Sequence, residues 1–84
     1  MTAQYANVRR ANVERLLKWL LTKHGIQIRV GSKHVIIVKY MFWDRPFPIP
    51  FKNGAANKFI IQAFMSQLIG SGICTKEEFD EQIK

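Results

Sequence analysis

The sequence has little of several things that define common protein classes. It contains one cysteine, Cys74, which excludes an intramolecular disulfide framework. No apolar run approaches the roughly 18 residues needed to cross a membrane, and the first residues lack the apolar block of a signal peptide. Two histidines and one cysteine, far apart in the chain, do not make a zinc site. We therefore expect a cytoplasmic protein with no membrane association, no metal and no cofactor.

Acidic residues are also scarce. Six Asp and Glu oppose thirteen Lys and Arg, which gives a net charge of +7. The excess is one-sided, because Glu14 is the only acidic residue in residues 1–40, whereas four of the six acidic residues lie in the last ten positions. A basic surface of this kind attracts polyanions and favours a nucleic-acid partner. An acidic protein would use the same field, and scattered lysines usually serve only solubility.

The 84 residues fit a single domain, with residues 1–11 as an N-terminal arm or a helix extension. Apolar residues at helical spacing follow Asn12, a suitable N-cap, and predict a first helix. A second helix is predicted after Asn57. A capping-box sequence that starts at Thr75 predicts a short C-terminal helix.

Three strands are predicted between the first two helices. They lie at about residues 26–30, 33–40 and 46–51, with Gly31-Ser32 as the first turn. Prolines at every second position of the third strand remove N–H groups from one edge only, so we expect it to be outermost in an antiparallel meander. The predicted fold is a two-layer α+β domain, α-β-β-β-α, with both helices on one face of a three-stranded sheet. The other sheet face is left open and offers a surface for a homodimer.

The stretch GSKH, residues 31–34, contains the most informative residue of the chain. His34 follows a turn at the start of an apolar strand, where a histidine often does no more than end the strand. An aromatic side chain in the next connection, Trp43, is a candidate for stacking on bases, whereas its neighbour Phe42 is at least as well explained by core packing.

The order of short motifs resembles the HicA-type mRNA interferase toxins. A helix ending in KHGI precedes a strand, GSKH and a second strand; PIP lies in the third strand, and LIGSGI and TKEEF follow. The resemblance covers roughly Val13 to Phe79. It implies a double-stranded-RNA-binding-domain-like (dsRBD-like) fold, a metal-independent mRNA endoribonuclease activity and a HicB-like antitoxin partner. It also implies that His34 is the catalytic residue.

The residues around His34 suit this chemistry. Histidine as a residue type titrates near pH ~6.5, so it can accept and donate a proton near neutrality. Basic and small residues near it form the predicted RNA-binding set, which consists of Arg29, Gly31, Ser32, Lys33, Lys39, Arg45 and Lys52. Many family members carry a second histidine after the third-strand proline, where this chain has Phe51-Lys52. That departure keeps a second hypothesis open, a non-catalytic RNA- or DNA-binding module.

Overall fold

The computed structural model describes residues 7–84. Eight elements follow one another along the chain: β1 (Val8–Arg9), α1 (Arg10–Leu20), β2 (Ile26–Ser32), β3 (Val35–Tyr40), β4 (Phe47–Lys52), β5 (Ala55–Ala56), α2 (Lys58–Gly70) and α3 (Lys76–Ile83). The strands form one antiparallel sheet in the order β1-β5-β4-β3-β2. The α+β class is as predicted.

The helices cover one face of the sheet. Alternate strand residues are buried together with the apolar stripes of all three helices; the strand residues in this core are Ile26, Ile36, Val38, Ile49, Phe51 and Ala56. The residues between them along each strand are exposed or half-buried. The period of two in burial leaves a second sheet face that no helix covers within residues 7–84. None of the helices in that range is long and apolar enough to cross a membrane.

The prediction of a three-stranded sheet with the proline-rich strand outermost is wrong. The sheet has five strands, and β4 lies between β3 and the two-residue strand β5. The cause is a tight turn at Asn53 and Gly54, both at positive φ (54° and 76°), which returns the chain alongside the end of β4. An Asn-Gly pair is the strongest short-range hairpin signal, and at Asn53-Gly54 it joins β4 to β5.

The prolines nevertheless act on the edge of β4 as predicted. The Phe51 N–H donates to the His34 carbonyl at 2.6 Å, so the odd-numbered residues of β4 bond to β3. The proline nitrogens then point to the opposite edge, where Pro50 offers no donor to a longer partner. On β4, the partners of β5 are Phe51 and Lys52, and this pairing ends where the prolines begin.

The first helix begins earlier than predicted. It starts at Arg10, with Arg9 rather than Asn12 as its N-cap residue. The Arg10 N–H donates to the Gly54 carbonyl at 2.9 Å, so the sheet itself bonds a backbone donor of the first turn. Within the predicted arm, residues 8–9 form β1 and residues 10–11 belong to α1, while residues 1–6 lie outside the described residues.

Gly25 provides a test of the connection between α1 and β2. Its φ is +86°, and a Cβ added there would lie 2.5 Å from the sulfur of Met41. Gly54 has a similar φ of +76° but open space around it, so Gly54→Ala isolates the conformational cost. We expect urea denaturation to show a loss of about 1 kcal/mol for both variants, because Met41 is 56 % exposed and its flexible side chain can move away from the added Cβ. A loss for Gly25→Ala that exceeds the loss for Gly54→Ala by more than about 1 kcal/mol would mean that Met41 is held in place.

Candidate nucleic-acid interface

The connection between β2 and β3 is a two-residue turn at Lys33 and His34. Ser32 pairs with Val35, and the register shifts between Val30 and Ser32. The predicted Gly31-Ser32 turn is therefore wrong: both residues belong to β2, which has a bulge between Val30 and Ser32, and the turn lies two residues further along the chain. A Cβ at Gly31 would lie 2.8 Å from the Ile37 side chain, which explains a glycine at the bulge.

The backbone of His34 is fixed by hydrogen bonds, whereas its side chain is exposed. Its N–H donates to the Ser32 hydroxyl at 3.3 Å, and its carbonyl accepts from the Phe51 N–H at 2.6 Å. No hydrogen bond or ion pair to the imidazole is found within residues 7–84. A ring displayed in this way is accessible to a ligand while its backbone stays in one place.

Arg10 fixes the turn from the helix side. Its guanidinium donates to the Lys33 carbonyl at 2.6 Å and pairs with Glu14 at 3.1 Å. The same group lies 4.8 Å from the centre of the Phe51 ring. Arg10 thereby ties the start of α1 to the β2–β3 turn. The prediction of an arm over residues 1–11 does not include this role of Arg10. The i, i+4 spacing of Arg10 and Glu14 is the signal in the sequence that the helix starts earlier.

The structure brings five of the predicted site residues together at one corner of the sheet. We call this corner the His34 corner; it consists of Gly31, Ser32, Lys33, His34 and Lys52. Lys52 directly follows Phe51, whose backbone bonds to His34, and it is exposed. Lys33 is exposed beside His34 in the turn. Both lysines are close to His34 along the backbone, one beside it in the turn and one beside its strand partner Phe51, so they raise the positive potential at this corner and attract phosphate.

Three predicted residues lie away from this corner. Lys39 is five residues along β3 from His34, which corresponds to about 16 Å of strand. Arg45 follows β3 in the connection to β4, beyond Lys39. Arg29 pairs with Ile37 and occupies an intermediate position. These three residues can contact a polyanion that runs across the sheet, but Lys39 and Arg45 cannot contact the phosphate that His34 would contact.

The uncovered sheet face connects the two groups. We call it the open face; it carries Arg9, Arg29, Lys39 and Lys52 around Val35, Ile37, Pro48 and Pro50. The five described strands contain no Asp or Glu at all. The face therefore presents positive charge without any internal carboxylate, as expected of a surface that contacts phosphates.

The second histidine is remote from the first. His24 precedes β2 and lines a small depression of about 180 Å³ with Tyr40 and Ile73, at the far end of β2 from His34. The seven residues of β2 separate the two imidazoles by about 20 Å. Within residues 7–84, no group of three or more His, Cys, Asp or Glu residues is placed to hold a metal ion.

The prediction for the aromatic pair is wrong in its choice of residue. The Trp43 Nε1 donates to the Ser71 hydroxyl at 2.6 Å, and its ring packs edge-on against Tyr40. Phe42 is instead the exposed ring, at 76 %. Trp43 is therefore a structural residue at the α2 end of the core and is not free to stack on bases.

Cys74 takes no part in the interface. It is buried in the core, and burial together with the neighbouring Glu78 charge raises the pKa of its thiol. A thiol in this environment is disfavoured as a thiolate nucleophile. Cys74 therefore packs as a small apolar residue of the core.

Comparison of the chain with models of protein families, with curated proteins and with solved structures finds no match. The resemblance to HicA-type toxins accordingly rests on the order of the short motifs.

Proposed function

We propose that this protein is an RNA-binding toxin of the HicA type, a metal-independent endoribonuclease that cuts mRNA at the His34 corner. The observation that carries the proposal is the exposed imidazole of His34, in a turn fixed by backbone bonds and by Arg10. Lys33 precedes it in this turn, and Lys52 follows its strand partner Phe51. An ordinary strand-end histidine does not require this combination of a fixed backbone, a free ring and two nearby lysines.

The proposed reaction is an internal transesterification. His34 accepts the proton of a ribose 2′-hydroxyl, and the 2′-oxygen forms a bond to the adjacent phosphorus. The bond from phosphorus to the 5′-oxygen breaks, and the imidazolium returns its proton to that oxygen. Lys33 and Lys52 stabilise the charge that develops on the phosphate oxygens. The products are a 2′,3′-cyclic phosphate and a 5′-hydroxyl.

We propose a dsRBD-like arrangement in which the two shortest strands are additions, and the order of the other elements supports it. α1, β2, β3, β4 and α2 follow one another in the order α-β-β-β-α, and β1 and β5 extend this unit at its proline-bearing side. A toxin of this type acts in the cytoplasm and requires an antitoxin. We propose a HicB-like protein that covers the His34 corner, because covering the imidazole blocks the reaction.

One observation favours a second function, a non-catalytic RNA- or DNA-binding module. Many ribonucleases use one group as the base and a second as the acid. His34 is the one histidine at this corner, since His24 lies at the far end of β2. A single imidazole must act first as base and then as acid. The open face and the lysines of the His34 corner would bind nucleic acid equally well without cutting it.

Binding to RNA should depend steeply on salt. Each phosphate neutralised on a single strand contributes about −0.7 to the log–log slope of affinity against salt. If Lys33, Lys52 and Arg29 each neutralise one phosphate, we expect a slope near −2, measured by fluorescence anisotropy with a short single-stranded RNA.

Lys33→Ala should then make the slope shallower by about 0.7. Lys76→Ala provides a matched control, because it removes the same charge from α3, where the Lys76 ammonium pairs with Asp80 at 2.8 Å. An affinity that does not change with salt, or an equal effect of both variants, would contradict the proposed interface.

Induced expression in bacteria tests the proposed function as a whole. We expect growth to stop with the wild-type protein and to continue with His34→Ala at equal protein level. Growth arrest by both proteins would show that toxicity does not need the imidazole, and would favour the binding module.

A further inference from the structure

The outer edge of β2 is unpaired within residues 7–84. The pairing of β2 with β3 determines which of its backbone N–H and C=O groups point outward from this edge. The Met41 N–H donates to the Gly25 carbonyl at 3.0 Å, so residues 25 and 41 form a hydrogen-bonded pair. Such pairs alternate along an antiparallel ladder, so Gln27 and Arg29 bond to β3. The N–H and C=O groups of Ile26, Ile28 and Val30 therefore point away from the sheet.

An apolar groove lies directly beside this edge. It separates α1 from β2, has a volume of about 550 Å³, and is lined by Leu17, Leu21, Ile28, Val30 and Ile36 among others. Leu21 is 54 % exposed and Val30 is 62 % exposed. We call the outer edge of β2 together with this groove the β2 edge site. It offers backbone hydrogen bonds and an apolar floor on the helix side, which are the two components that an added strand uses.

The rest of the sheet does not offer a comparable edge. At the other side β1 has only two residues, and the prolines of β4 remove the donors from the adjoining stretch. By contrast, the outer edge of β2 is seven residues long, and none of these residues is a proline. Because exposed edges invite aggregation and are usually blunted, a long edge beside an apolar groove indicates a surface that a partner covers.

The charges around the β2 edge site determine the kind of partner. Arg15 and Lys18 lie along the α1 side of the groove, and Glu14 there is already paired with Arg10. On the open-face side, Arg29 would stand opposite one residue of an added strand. A second copy of this chain would place Arg29 and Lys18 near their own duplicates, and each copy carries a net charge of +7.

We propose that the β2 edge site binds an extended segment of another protein in which acidic and apolar residues alternate. The segment adds a sixth strand next to β2. Its apolar side chains enter the groove against Leu17 and Leu21, and its carboxylates face Arg29 on the other side. This site adjoins the His34 corner at Gly31 and Ser32, but the proposal does not depend on RNA cleavage.

The probe for this proposal is a capped seven-residue peptide of alternating Glu and Val, with a Lys-Val peptide as its matched control. We expect two-dimensional NMR titration of the full chain to show saturable shifts of the Ile26, Ile28 and Val30 amide signals. The Lys-Val peptide should bind at least tenfold more weakly. In the double variant Lys18→Glu, Arg29→Glu this preference should reverse, which a loss of folding would not produce.

Three outcomes would overturn the proposal. Equal affinity for both peptides, or no shift of the three β2 amides at millimolar Glu-Val peptide, would remove the acidic strand as the occupant. Stronger shifts of the same amides by a single-stranded RNA would assign the site to nucleic acid. Shifts of these amides on dilution of the protein alone would assign it to a second copy of the chain. Neither a lack of cleavage nor a lack of RNA binding affects these readings.

Discussion

Replacement of His34 by alanine should reduce RNA cleavage by about a hundredfold or more, the usual scale for the loss of a positioned acid or base. Folding should be retained, because the imidazole is exposed and the backbone bonds of the residue to Ser32 and Phe51 persist. RNA affinity should change by no more than about twofold, since Lys33 and Lys52 supply the phosphate contacts.

His24→Ala is the matched control for this experiment. It removes the other exposed histidine, from the far end of β2, and should leave cleavage unchanged. Rates would be measured with excess EDTA and over a pH series around neutrality, after circular dichroism has shown that each variant is folded. Equal cleavage by wild type and His34→Ala would remove the catalytic assignment, and parallel losses in both variants would show that the loss is not specific to His34.

Proline substitution at two neighbouring positions of β2 should reduce the free energy of unfolding by very different amounts. Arg29→Pro removes an N–H that bonds to β3 and leaves an acceptor in the sheet unsatisfied, so we expect a loss of about 3 kcal/mol in the free energy of unfolding. Val30→Pro removes an N–H that points outward from the edge, so we expect a loss below about 1 kcal/mol. Both side chains are exposed, which limits the contribution of lost packing.

Urea denaturation of the two proline variants measures this difference directly. A stable Arg29→Pro protein together with an unfolded Val30→Pro protein would mean that the ladder of β2 is shifted by one residue. That result would also remove the outward-facing donors on which the β2 edge site depends.

The strand arrangement shows which parts of the sheet local sequence patterns can predict. Proline at alternate positions correctly predicted which edge of β4 is free of donors and which residues pair with β3. It could not predict β5 and β1, because two-residue strands have no periodicity of their own. β5 arises from the turn at Asn53 and Gly54, and β1 exists because the chain preceding α1 pairs with β5.

The site was predictable in its residues and not in its geometry. GSKH and the nearby basic residues were identified from residue type and order, and five of them meet at the His34 corner. The turn lies two residues later than predicted, and the only local mark of the bulge between Val30 and Ser32 is Gly31, which was assigned to the turn itself. Arg10 contacts the Lys33 carbonyl across 23 positions of sequence, and a long-range bond of this kind has no local pattern.

The most direct measurement is the chemistry of the RNA ends that the purified protein produces. A single-stranded RNA would be incubated with the protein in excess EDTA, and the products would be analysed by mass spectrometry. We predict fragments with 2′,3′-cyclic phosphate and 5′-hydroxyl ends from the wild-type protein and from His24→Ala, and intact RNA from His34→Ala. Intact RNA with the wild-type protein in excess, fragments with 5′-phosphate ends, or cleavage that EDTA stops would contradict a metal-independent endoribonuclease that uses His34.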